Sequence, residues 1–210
     1  MAQKVRNIIF DLGGVLLNID FKLTSNAFKE LGVSHFDEMF TQHFSNSLFE
    51  LLETGKIDEA AFYDEFRKEA GLPLTNSQIQ DAWNALLLDF PAERIEWLEK
   101  VAQQYRIFLF SNTNQIHYDC FIRNFSENFN GKHFNDFFEK AYYSQFLGLR
   151  KPYPVSFQAI VDEQQILPAE TLFIDDTLKN IEAASQVGFQ TIHLQSPTTV
   201  MDLDLIRLQR

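Results

Sequence analysis

The chain has 210 residues, 45% of them hydrophobic and 22% charged, with a formal net charge of −11. That length suits one large domain or a core with a small insert, and it excludes a fold too small to bury its own core. The acidic balance argues against nucleic acid and anionic membrane as partners, so a site for a phosphorylated molecule must recruit local positive charge or a metal.

Residues 4–10 read as the first strand. Ile8-Ile9-Phe10 is a short apolar run of the kind buried on both faces of a sheet, and it ends abruptly in Asp11, Leu12, Gly13 and Gly14. From about Asp20 to Leu88 the periodicity is helical and no strand pattern stands out. Leu23, Ala27, Phe28 and Leu31 share a face before Gly32. Phe36, Phe40 and Phe44 recur every four residues, and Leu48, Leu51 and Leu52 continue the stripe until Gly55. Asp58 is placed to cap a helix carrying Ala61, Phe62 and Phe66. Gly71-Leu72-Pro73 is a turn, and Thr75 with Gln78 forms a capping box before Ile79, Trp83 and Leu86. These signals predict a four-helix insert directly after the first strand.

An α/β rhythm then resumes. Pro91 opens a helix with Ile95, Leu98 and Val101. Arg106 to Phe110 is a second apolar strand, ending in Ser111-Asn112-Thr113-Asn114. A Phe-rich helix (Phe121, Phe125, Phe129) and a short one (Phe134, Phe137, Phe138) precede a brief strand at Ala141–Tyr143. Leu147 to Pro152 is a loop containing Arg150 and Lys151, and Pro154 to Val161 is a helix. Thr171 to Ile174 is a strand ending in Asp175-Asp176, a helix spans about Leu178 to Val187, and Gln190 to Leu194 is the last strand. Leu203, Leu205 and Leu208 suggest a docking helix in the tail. Strands alternating with helices predict an α/β fold with a mostly parallel, Rossmann-like sheet. The core should comprise residues 1–17 and 89–210, and the insert residues 18–88. Cys120 is the single cysteine, so no intrachain disulfide forms. No stretch reaches membrane-span length and no apolar signal segment precedes Asp11, so a cytoplasmic location is expected.

Three strand ends carry polar groups: Asp11, Ser111 and the Asp175-Asp176 pair. In a parallel sheet the C-terminal edges point the same way, which is where open α/β sheets bind ligands. Lys151 falls in a loop between two of these ends. Together they hold what phosphoryl transfer needs: a carboxylate to attack phosphorus, a hydroxyl and backbone N–H groups for the non-bridging oxygens, and a lysine for charge. Several carboxylates in one crevice repel one another unless a cation joins them, and oxygen ligands suit Mg²⁺.

This order of parts resembles the haloacid dehalogenase superfamily. The residues that carry the likeness are Phe10-Asp11-Leu12-Gly13-Gly14-Val15, Ser111-Asn112-Thr113-Asn114, Leu149-Arg150-Lys151-Pro152 and Ile174-Asp175-Asp176-Thr177, which look most similar to a glucose-1-phosphatase-like subgroup. The likeness covers nearly the whole chain and implies that the insert is a helical cap. It implies Asp11, Ser111 and Lys151 as catalytic residues, with Ser111, Asn112 and Lys151 contacting substrate. Mg²⁺ would be held by Asp11, the Gly13 carbonyl, Asp176 and Asp175. The implied activity is hydrolysis of a small phosphorylated metabolite, a sugar phosphate among the candidates, through an aspartyl-phosphate intermediate.

One departure matters. Most phosphatases of the superfamily carry an acid/base Asp two positions after the nucleophile, and here that position is Gly13. Two rival functions follow: a metal-independent dehalogenase, or a phosphometabolite-binding protein without turnover. Asp20 and His117 are candidate substitutes for the missing carboxylate. Plainer roles stand beside the sharp ones. Asp11 could be a turn residue, Ser111 a helix cap and Lys151 a solvated loop lysine. Asn180 could support the metal shell or face solvent. The Phe36-Phe40-Phe44 stripe suits a cap core, and His35, His43, His133 and His193 show no metal-ligand spacing.

Overall fold

The computed structural model describes residues 4–41 and 44–206, with the backbone alone at Phe44. The chain runs β1 (Asn7–Phe10), α1 (Phe21–Glu30), α2 (Phe36–Met39), β2 (Phe40–Thr41), β3 (Phe44–Ser45), α3 (Ser47–Glu53), α4 (Glu59–Ala70), α5 (Asn76–Asn84), α6 (Ala92–Ala102), β4 (Arg106–Ser111), α7 (Gln115–Asn128), β5 (Lys140–Tyr143), α8 (Ser144–Leu147), α9 (Pro154–Gln164), β6 (Thr171–Asp175), α10 (Leu178–Val187) and β7 (Gln190–His193).

Five strands pair in the order β5-β4-β1-β6-β7, every pair parallel. The apolar run Ile8-Ile9-Phe10 is thus part of the central strand, and its side chains alternate between two packed layers. Ile8 and Phe10 enter one layer with Trp97, Leu98 and Phe121; Ile9 enters the other with Phe108, Phe157 and Phe173. Phe10 pairs with Leu109 on β4 and with Ile174 on β6. That register sets Asp11 level with Asp175 and one residue short of Ser111 at the same edge.

The insert has its own apolar cluster, built on Phe28, Phe36, Phe49, Phe62, Phe66 and Trp83, with Ile116 of α7 packed into it. Its helices begin where the caps predict. Asp58 accepts from the Ala61 N–H, and Thr75 and Gln78 form the reciprocal capping box. The stripe from Phe36 onward does not form one helix. Phe40 is extended (φ −152°, ψ 134°), and β2 and β3 form an antiparallel pair before Asn46 starts α3. The physical reason is Asn46: its side chain accepts from the N–H groups of Leu48 and Phe49, which starts a new helix rather than continuing an old one. The insert therefore holds five helices and a two-stranded hairpin among the described residues, not four helices. Phe36 and Phe40 are core residues as expected, whereas the Phe44 side chain and His43 lie outside the described residues.

The predicted tail helix is absent from the described residues. One 3-10 turn at Val200–Asp202 takes its place, closed by a capping box between Thr199 and Asp202, and Leu203 then turns extended. Leu205 still docks: it is buried, and its carbonyl accepts from the Tyr105 hydroxyl at 2.9 Å. Leu208 lies outside the described residues. No helix among the described residues is long and apolar enough to cross a membrane.

Candidate active site

A crevice of about 490 Å³ opens at the C-terminal edge of the sheet, beneath the insert. Asp11, Gly13, Ser111, Asn112, Lys151 and Asp176 all line it. Lys151 is the hub. Its Nζ lies 2.7 Å from Asp11 Oδ1 and 2.7 Å from Asp175 Oδ2, and it is 1% exposed. Burial alone would lower its pKa, but the two carboxylates outweigh that and hold it protonated. Asn112 fixes the lysine's backbone from both sides: its amide nitrogen donates to the Lys151 carbonyl at 2.8 Å, and its oxygen accepts the Lys151 N–H at 2.9 Å. Asn112 lines the crevice, with its side-chain amide occupied in positioning Lys151.

The acidic pair divides its work. Asp175 is fully buried, and both its oxygens are engaged, by Lys151, by the Thr177 N–H and by Asn180. Asp176 faces the crevice, with the Thr177 hydroxyl 3.2 Å from its Oδ1 and His193 Nε2 donating to its carbonyl. Gly14 permits the close approach of this side chain: it has φ +74°, and a Cβ there would stand 2.5 Å from Asp176 Oδ2. Asn180 is buried against Asp175 rather than facing solvent.

Oxygens of Asp11, Asp175 and Asp176 all come within 4.8 Å of one another. Burial, with Asp175 and Asp176 nearby, raises the Asp11 carboxyl above its ordinary range, and Lys151 only partly opposes this. Three carboxylates against one lysine leave negative charge uncompensated. An all-oxygen donor set with that surplus fits a hard divalent cation.

Other expectations resolve differently. Ser111 is buried at the end of β4 and lines the crevice, but the cap of α7 is Asn114, which accepts from the His117 N–H. Asp20 caps α1 by accepting from the Lys22 N–H and is not among the crevice-lining residues, so it does not replace the missing carboxylate. His117 does line the crevice, but burial pushes its pKa down to about 3, so the ring is neutral near neutrality and offers no imidazolium as an acid. His35 is half-buried and His133 exposed.

A second polar group in the crevice escaped the sequence reading. Arg150 donates to Glu50 Oε1 at 2.8 Å and to Ser45 Oγ at 3.2 Å, and its other terminal nitrogen lies 3.1 Å from Glu53 Oε2. This joins the insert to the loop that carries Lys151. Glu53 is 7% exposed, and burial pushes its carboxyl up to about 7 in spite of Arg150. A signal was present: Phe49, Leu52 and Glu53 fall at helical spacing, which puts an acid on an apolar face. Below pH 4.5 Glu53 is protonated in both folded and unfolded chains and costs nothing. As pH rises from 4.5 to about 7 only the unfolded chain ionises, so stability falls. The full loss is on the order of 3 kcal/mol. Glu53→Gln removes this dependence. Urea denaturation at several pH values should show the variant gaining on wild type by that order across the window; a constant difference would contradict a buried, neutral Glu53.

A model of the haloacid dehalogenase-like hydrolases matches residues 5–188. The chain is 33% identical over 193 residues to a D-ribitol-5-phosphate phosphatase of Bacteroides thetaiotaomicron, covering 89% of this chain and 90% of that protein. It is 25% identical to a sesquiterpene phosphatase of Aspergillus oryzae, covering 97% of each. Among solved structures, an aspartate-to-alanine variant of a family enzyme from Bacteroides thetaiotaomicron, in complex with magnesium and inorganic phosphate, superposes with a TM-score of 0.88. It shares 34% identity and covers 93% of this chain and 96% of that one. This chain belongs to the haloacid dehalogenase-like hydrolases.

Proposed function

We propose that the chain is a Mg²⁺-dependent phosphatase of small phosphorylated metabolites, sugar or sugar-alcohol phosphates foremost, in a cytoplasmic setting. The observation that carries this is the convergence of Asp11, Lys151 and Asp176 on one crevice with Asp175 behind them. Asp11 attacks phosphorus through the oxygen that Lys151 does not hold, and the ester oxygen leaves. Ser111 and the backbone N–H groups after β4 receive the non-bridging oxygens, and Lys151 neutralises charge as it develops. Water then attacks the aspartyl phosphate and frees phosphate and Asp11. Asp11, Asp176 and the Gly13 carbonyl would hold Mg²⁺, which offsets the negative charge of both reactants. Asp175 serves by anchoring Lys151 and contributes to the ion's field. Residues 18–88 act as a cap on a core of 1–17 and 89–210. Their separate apolar clusters support this division, as does the pinning of both crossing strands at Asn18, Leu88 and Asp89.

The experiment is single-turnover hydrolysis of a series of phosphate esters, with Mg²⁺ and then with a chelator. Activity should need the metal and should rise steeply with leaving-group acidity, because Gly13 supplies no proton. General acid help is typically worth ~10²–10⁴-fold. Gly13→Asp should flatten the series: the nearest obstacle to the new Cβ is the flexible end of the Ile19 side chain, 2.7 Å away. Activity that survives chelation would overturn the metal assignment. A flat wild-type series would mean that another crevice carboxyl, such as Glu53, already gives the proton.

A further inference from the structure

His117 is a core residue held by the insert. It sits in the first turn of α7, six residues after Ser111, and lines the same crevice. Its ring stacks on Trp83 of α5, with centroids 4.6 Å apart and planes 25° from parallel. Its Nδ1 lies 2.9 Å from Oδ1 of Asn84. An amide oxygen only accepts, so Nδ1 carries the proton and Nε2 bears a lone pair. Nε2 has no hydrogen-bond partner among the described residues, and His117 is part of the crevice wall.

We propose that His117 is a specificity residue whose Nε2 accepts a hydrogen bond from a hydroxyl on the organic part of a phosphate ester. The inference rests on the phosphatase reading and deepens it. The substrates selected are polyol or sugar phosphates, and Asn84 and Trp83 are the positioning residues. Desolvation keeps the ring uncharged near neutrality, so it does not compete for the phosphate group, and with Nδ1–H committed to Asn84 it offers no donor to a carbonyl or carboxylate. Phe40, Leu86 and Phe121 line the same crevice and offer a hydroxyl no hydrogen-bond partner of their own. A substrate with a methylene at that place would strip water from Nε2 and return nothing, which is how a site built for a hydroxyl rejects the analogue without it. The stack and the Asn84 bond fix the ring before binding, so no rotamer freedom is lost when substrate arrives.

The test compares two primary esters, a pentitol 5-phosphate and pentyl phosphate, on wild type and His117→Phe, each ester being read as the ratio of variant to wild type so that its own leaving group cancels. Phe keeps the stack on Trp83 and removes the acceptor. We expect kcat/KM for the pentitol ester to fall by about 10- to 100-fold, mostly through KM, with pentyl phosphate unchanged. Equal losses on both esters, or none, overturn the proposal. Ring ¹⁵N shifts of wild type supply a readout that survives a misfolded variant. Nδ1 should carry the proton, and Nε2 should shift on binding the pentitol ester but not on binding pentyl or inorganic phosphate. Asn84→Ala should let the two tautomers mix and weaken pentitol selectivity. A wild-type ring protonated at Nε2, or one indifferent to the pentitol ester, overturns the acceptor role. If wild type with Mg²⁺ hydrolyses neither these esters nor an aryl phosphate, the phosphatase reading fails, and the ¹⁵N titration still decides whether His117 reads a hydroxyl.

Discussion

Asp11→Asn should abolish hydrolysis and leave the protein at least as stable as wild type. The amide has the shape of the carboxylate and can still accept from Lys151 Nζ, 2.7 Å away. It lacks the charge that attacks phosphorus, so turnover should fall by roughly 10⁴-fold or more. Stability should move the other way. Asp11 is buried beside Asp175 and Asp176, which together raise its pKa, so its ionised form is a cost to the metal-free fold. Replacing it removes one of three clustered carboxylates while Asp175 keeps its bond to Lys151. Loss of activity with a gain in melting temperature is the signature of a group kept for chemistry rather than for packing. Single-turnover kinetics and thermal melts in metal-free buffer measure the two together. Turnover within tenfold of wild type would remove Asp11 from the nucleophile's role. A large drop in melting temperature would make it a structural anchor instead.

The sheet and its edge were legible because their signals are local. Ile8-Ile9-Phe10 and the runs ending at Phe110 and Ile174 are apolar on both faces, and each stops at a polar group where the strand meets the crevice. The helix starts of α4 and α5 were equally plain, since Asp58 and Thr75 act within three residues. What failed depends on competition or distance. The period of Phe36, Phe40 and Phe44 suits a helix, but Asn46 offers the backbone a better start and the hairpin intervenes. Arg150 reaches Glu50 across 100 residues, and His117 meets Asn84 across 33, and no spacing rule joins either pair. Two adjacent acids do not by themselves show which is sealed and which faces the crevice. Burial decides it, because Asp175 is the last residue of β6 and is sealed beneath Lys151, whereas Asp176 steps off the strand into the crevice.

Lys151→Met should cost both the fold and the reaction. The lysine is the single cation bonded to Asp11 and Asp175 among the described residues, and it is sealed between the rings of Phe110 and Phe173, 5.3 and 5.5 Å from its Nζ. Methionine can fill that apolar channel, so the change isolates the charge from the volume. Asp175 then keeps Asn180 and the Thr177 N–H but loses its cation while fully buried. Breaking a buried pair from one side costs about 3–5 kcal/mol. For a chain of this length that lowers the melting temperature by about 10 °C. The deficit should shrink as pH falls, because Asp11, raised by burial and no longer opposed by Lys151, takes up a proton in the fold and ceases to be charged. It should be largest above the ordinary carboxylate range, where the unfolded chain ionises freely. Mg²⁺ should recover part of the stability by supplying charge at the same crevice, but not the rate, since the cation that meets the transferring phosphoryl group is gone. Removing such a group typically costs ~10²–10³-fold in turnover. Lys151→Arg should not rescue it, because a planar fork does not fit a channel that holds a point charge between two rings. Thermal melts from pH 4 to 8 with and without Mg²⁺ test the first claim. A melting temperature within about 2 °C of wild type throughout would mean that the carboxylates are already neutral when Lys151 is absent.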